Sequence, residues 1–289
     1  MTHQQGEGRA LAFSMTRRWP AILLNGAAGL AAAVFCYPLV QMLLNAFKSN
    51  DEIVANPGGL PRVWTFASFA DLGDPHRSLL RNLGNSVLIA SSGTALAVVL
   101  CAAAAFAFAK LRFPGRNGVF TLLLATMMVP PEVVYPGQFI LFSRLGLIDT
   151  LVVQVLPTIT PVLGLFLMRQ YMLSIPDELI DAARIDGAGL FTLFWRVIVP
   201  VASPVLGAYA ILHFLSEWNA YLWPTMVATR DQVKPIMAAL PQLVDPTIGF
   251  LPIYGTIMAG CVAATVPLLV VYLRYRDKFM ASVTVGAVK

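Results

Sequence analysis

Residues 174–200 read SIPDELIDAARIDGAGLFTLFWRVIVP, and they form the longest polar interruption in a chain that otherwise consists of apolar runs. In the first half, charged residues alternate with apolar residues at helical spacing, and in the second half an apolar pattern returns from Leu190 to Ile198. Both halves are amphipathic, which suits a membrane surface better than a membrane interior. The stretch therefore predicts a helix–turn–helix on one membrane face.

The first helix of this stretch carries signals at both of its ends. Ser174 and Asp177 have the spacing of a capping box, and Pro176 suits a first helical turn, so the helix is predicted to begin near Ile175. Gly187 favours the left-handed conformation that ends a helix. The prediction is a helix of about 12 residues, or about 18 Å, followed by a sharp turn.

The order and spacing of particular residues in this stretch resemble a known motif. The matching residues are Pro176, Glu178, Leu179, Asp181, Ala182, Ala183, Ile185, Asp186, Gly187, Ala188, Phe194, Ile198 and Pro200. Together they resemble the EAA loop of permease subunits in ATP-binding-cassette importers, with Asp181 in place of a glutamate. The chain is similar, from Trp19 onward, to the second permease of maltose-type carbohydrate importers, since Asn85-Ser86, Trp218-Asn219 and residues 285–289 also match.

The resemblance implies a function for the stretch and a set of partners. In this family the loop docks in a cleft of the ATPase subunit, and closure of that subunit on ATP turns the pore from inward-facing to outward-facing. The implied coupling residues are Glu178, Asp181, Ala182, Ala183, Asp186, Gly187 and Ala188. The implied partners are a second permease subunit in a heterodimer, two ATP-binding subunits or a homodimeric ATPase, and an extracytoplasmic substrate-binding protein.

Within this loop the resemblance also implies individual roles. Ala182 and Ala183 would be small so that two backbones can approach closely, and Gly187 would form the turn. Asp181 and Asp186 would pair with basic groups or cap the second helix.

The composition is that of a membrane protein. Of 289 residues, 57% are hydrophobic and only 12% are charged, whereas about a quarter are charged in an average soluble domain. The net charge of +5 does not predict nucleic-acid binding, because the basic residues form no dense run. The three cysteines lie inside apolar runs without the spacing of a metal site, so no metal is predicted.

Six apolar segments are each long enough to cross a hydrocarbon core of about 30 Å. They lie near residues 21–47, 85–109, 118–142, 150–170, 199–224 and 252–273. We predict an all-α membrane protein with six transmembrane helices and a cytoplasmic coupling helix–turn–helix between spans four and five. The expected organisation is a cytoplasmic N-terminal segment over 1–20, a permease domain over 21–273 with its coupling loop at 174–200, and a cytoplasmic tail over 274–289.

The basic residues predict the orientation in the membrane. Cytoplasmic loops hold an excess of Lys and Arg, and thirteen of the 20 basic residues fall on the side of the two termini. We therefore expect a multi-pass inner-membrane protein that contacts lipid, with both termini and the stretch 174–200 in the cytoplasm.

Prolines interrupt several of these segments. At Pro130 and Pro131, span three either ends at the outer surface or breaks at membrane depth, because each proline removes a backbone donor. Pro157, Pro161 and Pro224 leave the same two interpretations open.

Span five contains the densest polar and aromatic cluster of any apolar run. An ionisable residue inside a membrane is costly and therefore points to a function. Trp218 and Tyr221 beside Glu217 and Asn219 suit a sugar, because aromatic faces stack on sugar rings while the polar groups bind hydroxyls. These four residues are the candidate substrate path. The open alternative is an aromatic belt at the membrane interface, with Glu217 paired to a neighbouring subunit or helix.

Other polar residues in the apolar runs have structural interpretations. Trp223 fits the aromatic belt, and His213 fits a packed histidine better than a proton relay. Asn85 and Ser86 are expected to cap the second span at its start.

The sequence holds no phosphate-binding GxxxxGK[ST] loop, no Gly-rich dinucleotide turn and no HExxH or GxSxG motif. We therefore expect a chain that is not an enzyme, binds no cofactor and relies on a partner for ATP hydrolysis. Two similar halves are also absent, so the pore is expected to need a second membrane subunit.

Three rival functions remain at this level. Import of a glycerol phosphate ester is one, although it calls for more cationic side chains than the spans contain. A second is an ion- or proton-coupled carrier that uses Glu217 and His213, with the stretch 174–200 resting on lipid. A membrane enzyme is the third, and no nucleophile and base occur at a recognisable spacing to support it.

Overall fold

A computed structural model describes the backbone over residues 18–74, 79–244 and 253–287, and the side chains over 24–74, 79–244 and 253–274. Within these ranges all regular structure is helical, which confirms the predicted all-α class. The chain forms two compact units, Met1–Phe69 with Tyr254–Val262, and Ala70–Ile253 with Ala263–Lys289. The predicted segment 1–20 lies mostly outside the described residues.

The first unit contains a long helix and a folded loop. Its helices are α1 (Arg18–Asn45), α2 (Asn50–Ala55) and α3 (Ala67–Ala70). Phe47 follows α1 and contacts the rings of Trp64, Phe66 and Phe69, with centroids 5.0 to 5.6 Å apart. The buried Lys48 ammonium donates to the Asn56 carbonyl at 2.8 Å, which closes this loop.

The second unit holds most of the helices. After a 3₁₀ turn at Asp71–Gly73 they are α4 (Leu79–Lys110), α5 (Arg116–Thr126), α6 (Pro131–Arg144), α7 (Val152–Val155) with a 3₁₀ turn at Leu156–Thr158, α8 (Val162–Leu173), α9 (Asp177–Ile185), α10 (Leu190–Thr192) with a π-helical turn at Leu193–Ile198, α11 (Val199–Val201), α12 (Ser203–Trp218), α13 (Leu222–Val227) and α14 (Ile236–Ala239) with a 3₁₀ turn at Leu240–Val244. The final helix α15 (Tyr254–Ala287) runs through parts of both units, and it continues beyond the predicted span end at 273.

Three of the predicted spans are bent rather than straight. The axes of α5 and α6 meet at 96°, those of α7 and α8 at 45°, and those of Leu190–Val201 and α12 at 77°. Of the two interpretations left open for the prolines, spans three and four show a broken helix, interrupted at residues 127–130 and 159–161, whereas span five breaks at Ala202 and not at Pro224. Among the described residues, α1, α4 and α15 are the single helices long and apolar enough to span, and up to six spans result if each bent pair counts as one.

The second predicted span begins earlier than expected. Its helix starts at Leu79, so Asn85 and Ser86 lie inside α4 and do not cap it. The prediction of a cap was wrong because polar residues in this helix serve another segment. The Asn85 amide donates to the carbonyl of Gln232 at 2.8 Å, and the Ser86 hydroxyl accepts from the amide of Ile236 at 2.8 Å, where α14 begins.

The core of the second unit connects α4 with α8, α12 and the stretch 174–200. Its buried members include Phe106 of α4, Phe120 of α5, Met168 of α8, Ile180 of α9, Phe194 of the π-helical turn and Tyr209 of α12. Small residues on α4, among them Ala102, Ala105 and Ala109, are buried in this core and allow neighbouring helices to approach closely.

Gly164 of α8 provides one test of this packing. A Cβ built on Gly164 would overlap the buried ring of Tyr209, whereas one built on Gly207 of α12 would meet nothing within 4 Å. We expect Gly164→Ala to lower the free energy of unfolding by about 1–3 kcal/mol, as overpacking does. Thermal unfolding of the detergent-solubilised chain measures this, with Gly207→Ala as the control. Equal melting temperatures for the two variants would contradict the packing.

Candidate functional site

The predicted coupling helix is present as α9, but it begins differently from the prediction. α9 covers nine residues, about 13.5 Å, and starts at Asp177. The predicted capping box is wrong, because the Ser174 hydroxyl donates to the Tyr171 carbonyl at 2.7 Å, one turn back along the preceding helix. Asp177 is instead turned toward a lysine on another helix.

That lysine is Lys110, the last residue of α4. Its ammonium donates to the Ile175 carbonyl and to the Asp177 carboxylate, both at 2.6 Å, and its side chain is only 6% exposed. The hydrogen bond from Lys110 and the charge of its ammonium lower the pKa of Asp177 below its usual range. The start of α9 is therefore attached to the end of α4.

The end of α9 is formed as the sequence predicts. Gly187 has φ of 83°, and its amide donates to the Arg184 carbonyl at 3.0 Å. The amide of Ala188 donates to the Ala183 carbonyl at 2.9 Å. These two bonds define a Schellman turn, which satisfies carbonyls that the last helical turn leaves free.

The second half of the stretch is irregular. The helical turns from Leu190 to Val201 include a π-helical turn at Leu193–Ile198, which sequence periodicity did not indicate. Phe194 is buried there, and its ring lies 5.7 Å from that of Phe106 on α4. Gly189 precedes this helix without a side-chain cap, so the implied capping by Asp186 does not occur.

The surface of the stretch combines apolar and acidic groups. Ile185 is 86% exposed and Phe191 is 77% exposed, while Ile180 on the opposite side of α9 is buried. The implied coupling residues Glu178, Asp181, Ala182, Asp186 and Gly187 are also exposed, and Ala183 and Ala188 are half-buried. Asp181 lies 3.9 Å from Arg184 in an exposed pair, which contributes little to stability. A rigid helix with exposed apolar residues suits docking in a groove of another protein.

The structure separates the four predicted substrate-path residues. Trp218 is 1% exposed and stacks on Phe214 at 5.7 Å, so its ring faces are covered. Asn219 and Tyr221 are exposed, and the Asn219 amide donates to the Leu215 carbonyl at 2.7 Å. Glu217 is half-buried beside the Thr158 hydroxyl, where the α7–α8 pair is broken.

His213 is packed, as predicted. Its Nε2 donates to the Thr158 carbonyl at 3.0 Å, and its Nδ1 accepts from the Thr94 hydroxyl of α4 at 3.2 Å. Trp223, by contrast, was predicted to join an interface belt and is buried, with Nε1 donating to the Val153 carbonyl at 3.0 Å. The belt interpretation of Trp223 is wrong, because the break after α7 leaves a carbonyl that the indole satisfies.

A set of polar contacts around residues 229–236 was not foreseen. Side chains of α4 and α7 and of the preceding loop hold this segment, and they are Asn82, Asn85, Ser86, Asp149 and Gln154. Isolated Asn and Gln residues in apolar runs were the signal available in the sequence. Among the described residues no group of three or more His, Cys, Asp or Glu side chains could hold a metal.

Gly187→Ala tests the turn after α9. A non-glycine residue at this φ costs about 1 kcal/mol, so amide exchange at Ala188 should accelerate about fivefold. Gly189, with φ of −72° and nothing within 4 Å of a built Cβ, provides the control Gly189→Ala. Hydrogen exchange followed by mass spectrometry measures the difference, and equal exchange in both variants would contradict the assigned turn.

The pair of Lys110 and Asp177 predicts that the stability of the folded protein depends on pH. Because the folded pKa of Asp177 is depressed, the pair stabilises the protein above about pH 4 and is lost as the pH falls through the lowered pKa. We expect the melting temperature of Asp177→Asn to fall less than that of the wild type as the pH is lowered from about 5 to 2, measured by thermal unfolding. The melting temperature of the neighbouring variant Glu178→Gln should fall as that of the wild type does. An equal fall in both variants would be inconsistent with the pair.

The chain is similar in sequence to permease proteins of several named transport systems. The chain is 32% identical over 261 residues to the arabinooligosaccharides transport system permease protein AraQ of Halalkalibacterium halodurans, covering 89% of this chain and 92% of AraQ. It is 31% identical over 279 residues to the lactose transport system permease protein LacG of Rhizobium radiobacter, covering 96% and 99%. The sn-glycerol-3-phosphate transport system permease protein UgpE of Yersinia pestis is 29% identical over 250 residues, with 84% and 89% covered.

Solved structures share the fold. A chain of a bacterial ABC transporter involved in the import of the acidic polysaccharide alginate superposes with a TM-score of 0.80 at 21% identity, covering 91% of this chain and 97% of that one. Residues 80–283 match the family described as binding-protein-dependent transport system inner membrane component. That range includes α4, the coupling stretch and α12. The chain belongs to the family of binding-protein-dependent transport system inner membrane components.

Proposed function

We propose that this chain is the pore-forming permease subunit of an ATP-driven importer that carries a sugar or a sugar derivative. The observation that carries the proposal is the stretch 174–200, which presents Ile185 and Phe191 to solvent while Lys110 and Ile180 anchor its other side. A partner protein that binds this surface can displace the membrane helices without entering the membrane.

The proposed topology has six spans with both termini in the cytoplasm. Three long helices and three bent pairs supply that number of spans, and the excess of basic residues supports this orientation. The proposed boundaries remain a segment over 1–20, a transmembrane domain over 21–273 and a tail over 274–289. In this topology the coupling stretch is cytoplasmic, and residues 229–236, bound to the opposite end of α4, lie outside.

A sugar is the proposed cargo for two reasons. AraQ and LacG are named for the transport of arabinooligosaccharides and lactose. The half-buried Glu217 and the exposed Asn219 and Tyr221 offer hydrogen-bonding groups near a break in the helices. Trp218 would join this path only in a conformation that separates its ring from Phe214.

A glycerol phosphate ester is the second candidate cargo. UgpE is named for the transport of sn-glycerol-3-phosphate, and its similarity is only slightly lower than that of the sugar permeases. However, α12 contains no Lys or Arg that could pair with the charge of a phosphate dianion. The electrostatics of this helix therefore favour the neutral cargo.

The proposed assembly contains a second permease, two ATP-binding subunits or a homodimeric ATPase, and an external binding protein. A bacterial alginate ABC transporter with a similar chain was solved in complex with an alginate pentasaccharide-bound periplasmic protein, which supports the last of these. ATP hydrolysis belongs to the partner in this proposal, so the chain itself needs no nucleotide or other cofactor.

Uptake by the whole assembly tests the function. We expect labelled sugar to enter vesicles only with ATP, and Ile185→Asp with Phe191→Asp to reduce uptake and ATP hydrolysis about tenfold or more, because buried carboxylates would weaken docking. The control Phe191→Leu keeps an apolar surface and should retain most of the activity.

The same assay separates the rival functions. Uptake that follows a proton gradient, needs no ATP and survives the double substitution would overturn the importer proposal in favour of an ion-coupled carrier. ATP-dependent uptake of labelled glycerol phosphate, without uptake of labelled neutral sugars, would instead assign the second candidate cargo.

A further inference from the structure

The long helix α4 of the second unit binds a different polar segment at each of its two ends. α4 runs for 32 residues, about 48 Å, without an internal proline. The other three spans that lie wholly in this unit are bent at a break of at most four residues. A helix without an internal break resists bending better than a broken one, so a displacement of one end of α4 can reach the other.

The N-terminal end of α4 binds the segment 229–236 through the side chains of Asn82, Asn85 and Ser86, which we call the clamp. Asn82 donates to the Asp231 carbonyl at 3.1 Å, and Asn85 donates to the carbonyls of Gln232 and Lys234 at 2.8 and 3.1 Å. The Ser86 hydroxyl accepts from the amide of Ile236 at 2.8 Å.

The clamp is costly to break. Its three side chains are buried, and a buried polar group that loses its hydrogen-bond partner destabilises the protein because water cannot replace that partner. The segment they hold is also closed on itself, because the buried Lys234 ammonium donates to Asp231 and to Gln242, both at 2.7 Å. The clamp therefore attaches residues 231–236 to α4, while Asp149 and Gln154 attach residues 229–233 to α7 and the loop before it.

The C-terminal end of α4 binds the coupling stretch. Lys110 holds the Ile175 carbonyl and Asp177 together, so α9 cannot shift without moving α4 or breaking two charge-assisted bonds. Between the two ends, Thr94 binds His213 of α12. One helix thus carries side-chain bonds to the coupling stretch, to the centre of the unit and to the segment 229–236.

We propose that α4 is the rigid link that carries the displacement of the coupling stretch to residues 229–236, with Lys110 and the clamp as its positioning residues. The inference rests on the proposed function, which supplies the ATP-driven displacement. The segment 229–236 then takes one position when the ATPase is open and another when it is closed. This change needs no ligand on the outer side of the membrane.

Hydrogen exchange in the reconstituted assembly tests this link. The amides of residues 231–236 are followed with and without ATP plus vanadate, and basal ATP hydrolysis is measured in the same samples. In the wild type we expect their exchange to differ at least about fivefold between the two states, the lower end of a typical coupling between sites. Asn85→Leu with Ser86→Ala should remove this nucleotide-dependent difference while basal hydrolysis continues.

Two further variants separate transmission from simple loosening. Gln154→Met removes the 2.8 Å bond from α7 to the Val233 carbonyl but leaves both ends of α4 intact. It should raise exchange in both states and keep the difference between them. Lys110→Met should remove the difference, and adding the clamp substitutions should change nothing more, because both interrupt the same link.

Each remaining outcome contradicts a specific claim. An assembly that hydrolyses ATP while exchange at 231–236 is the same in both states overturns the link and leaves the proposed function intact. The link is also overturned if the clamp variant keeps the wild-type difference, or if Gln154→Met removes it as fully as the clamp variant does. An assembly with no ATP hydrolysis at all overturns the proposed function together with the link.

Discussion

The buried ammonium of Lys110 is the interaction on which the placement of the coupling stretch depends. Removing a lysine charge from water costs several kcal/mol unless it is paired and hydrogen-bonded, and here a carbonyl and a carboxylate serve that purpose. The carbonyl belongs to Ile175, directly before the proline that precedes α9. The same two bonds therefore satisfy the lysine, begin the helix and attach it to α4.

A second constraint is that backbone groups inside a membrane need partners within the protein. Each broken helix leaves carbonyls free, and side chains from elsewhere reach them. His213 donates to Thr158, and Trp223 donates to Val153, both beside the break between α7 and α8. These polar and aromatic residues of span five therefore stabilise a bent neighbour, and Glu217 lies beside the Thr158 hydroxyl at the same break.

Prediction from the sequence succeeded where the cause was local and failed where the partner was distant. The helix of the coupling stretch and its end at Gly187 follow from residues within one or two turns. The cap at Ser174 was wrong because Lys110, more than sixty residues earlier, binds Asp177 instead. Asn85 was assigned to its own helix, although its partners lie 147 and 149 residues further along the chain. Periodicity and capping rules contain no term for such a partner.

The sequence by itself determined the membrane class, the apolar segments, the amphipathic coupling helix and its terminating glycine, because hydrophobicity and backbone preference are properties of each residue and its near neighbours. Only the tertiary structure decided which helices bend, which polar side chains are buried, and which end of α4 each polar segment binds. Those outcomes depend on pairing every buried donor and acceptor in a medium without water, and the partners come together only when the helices pack.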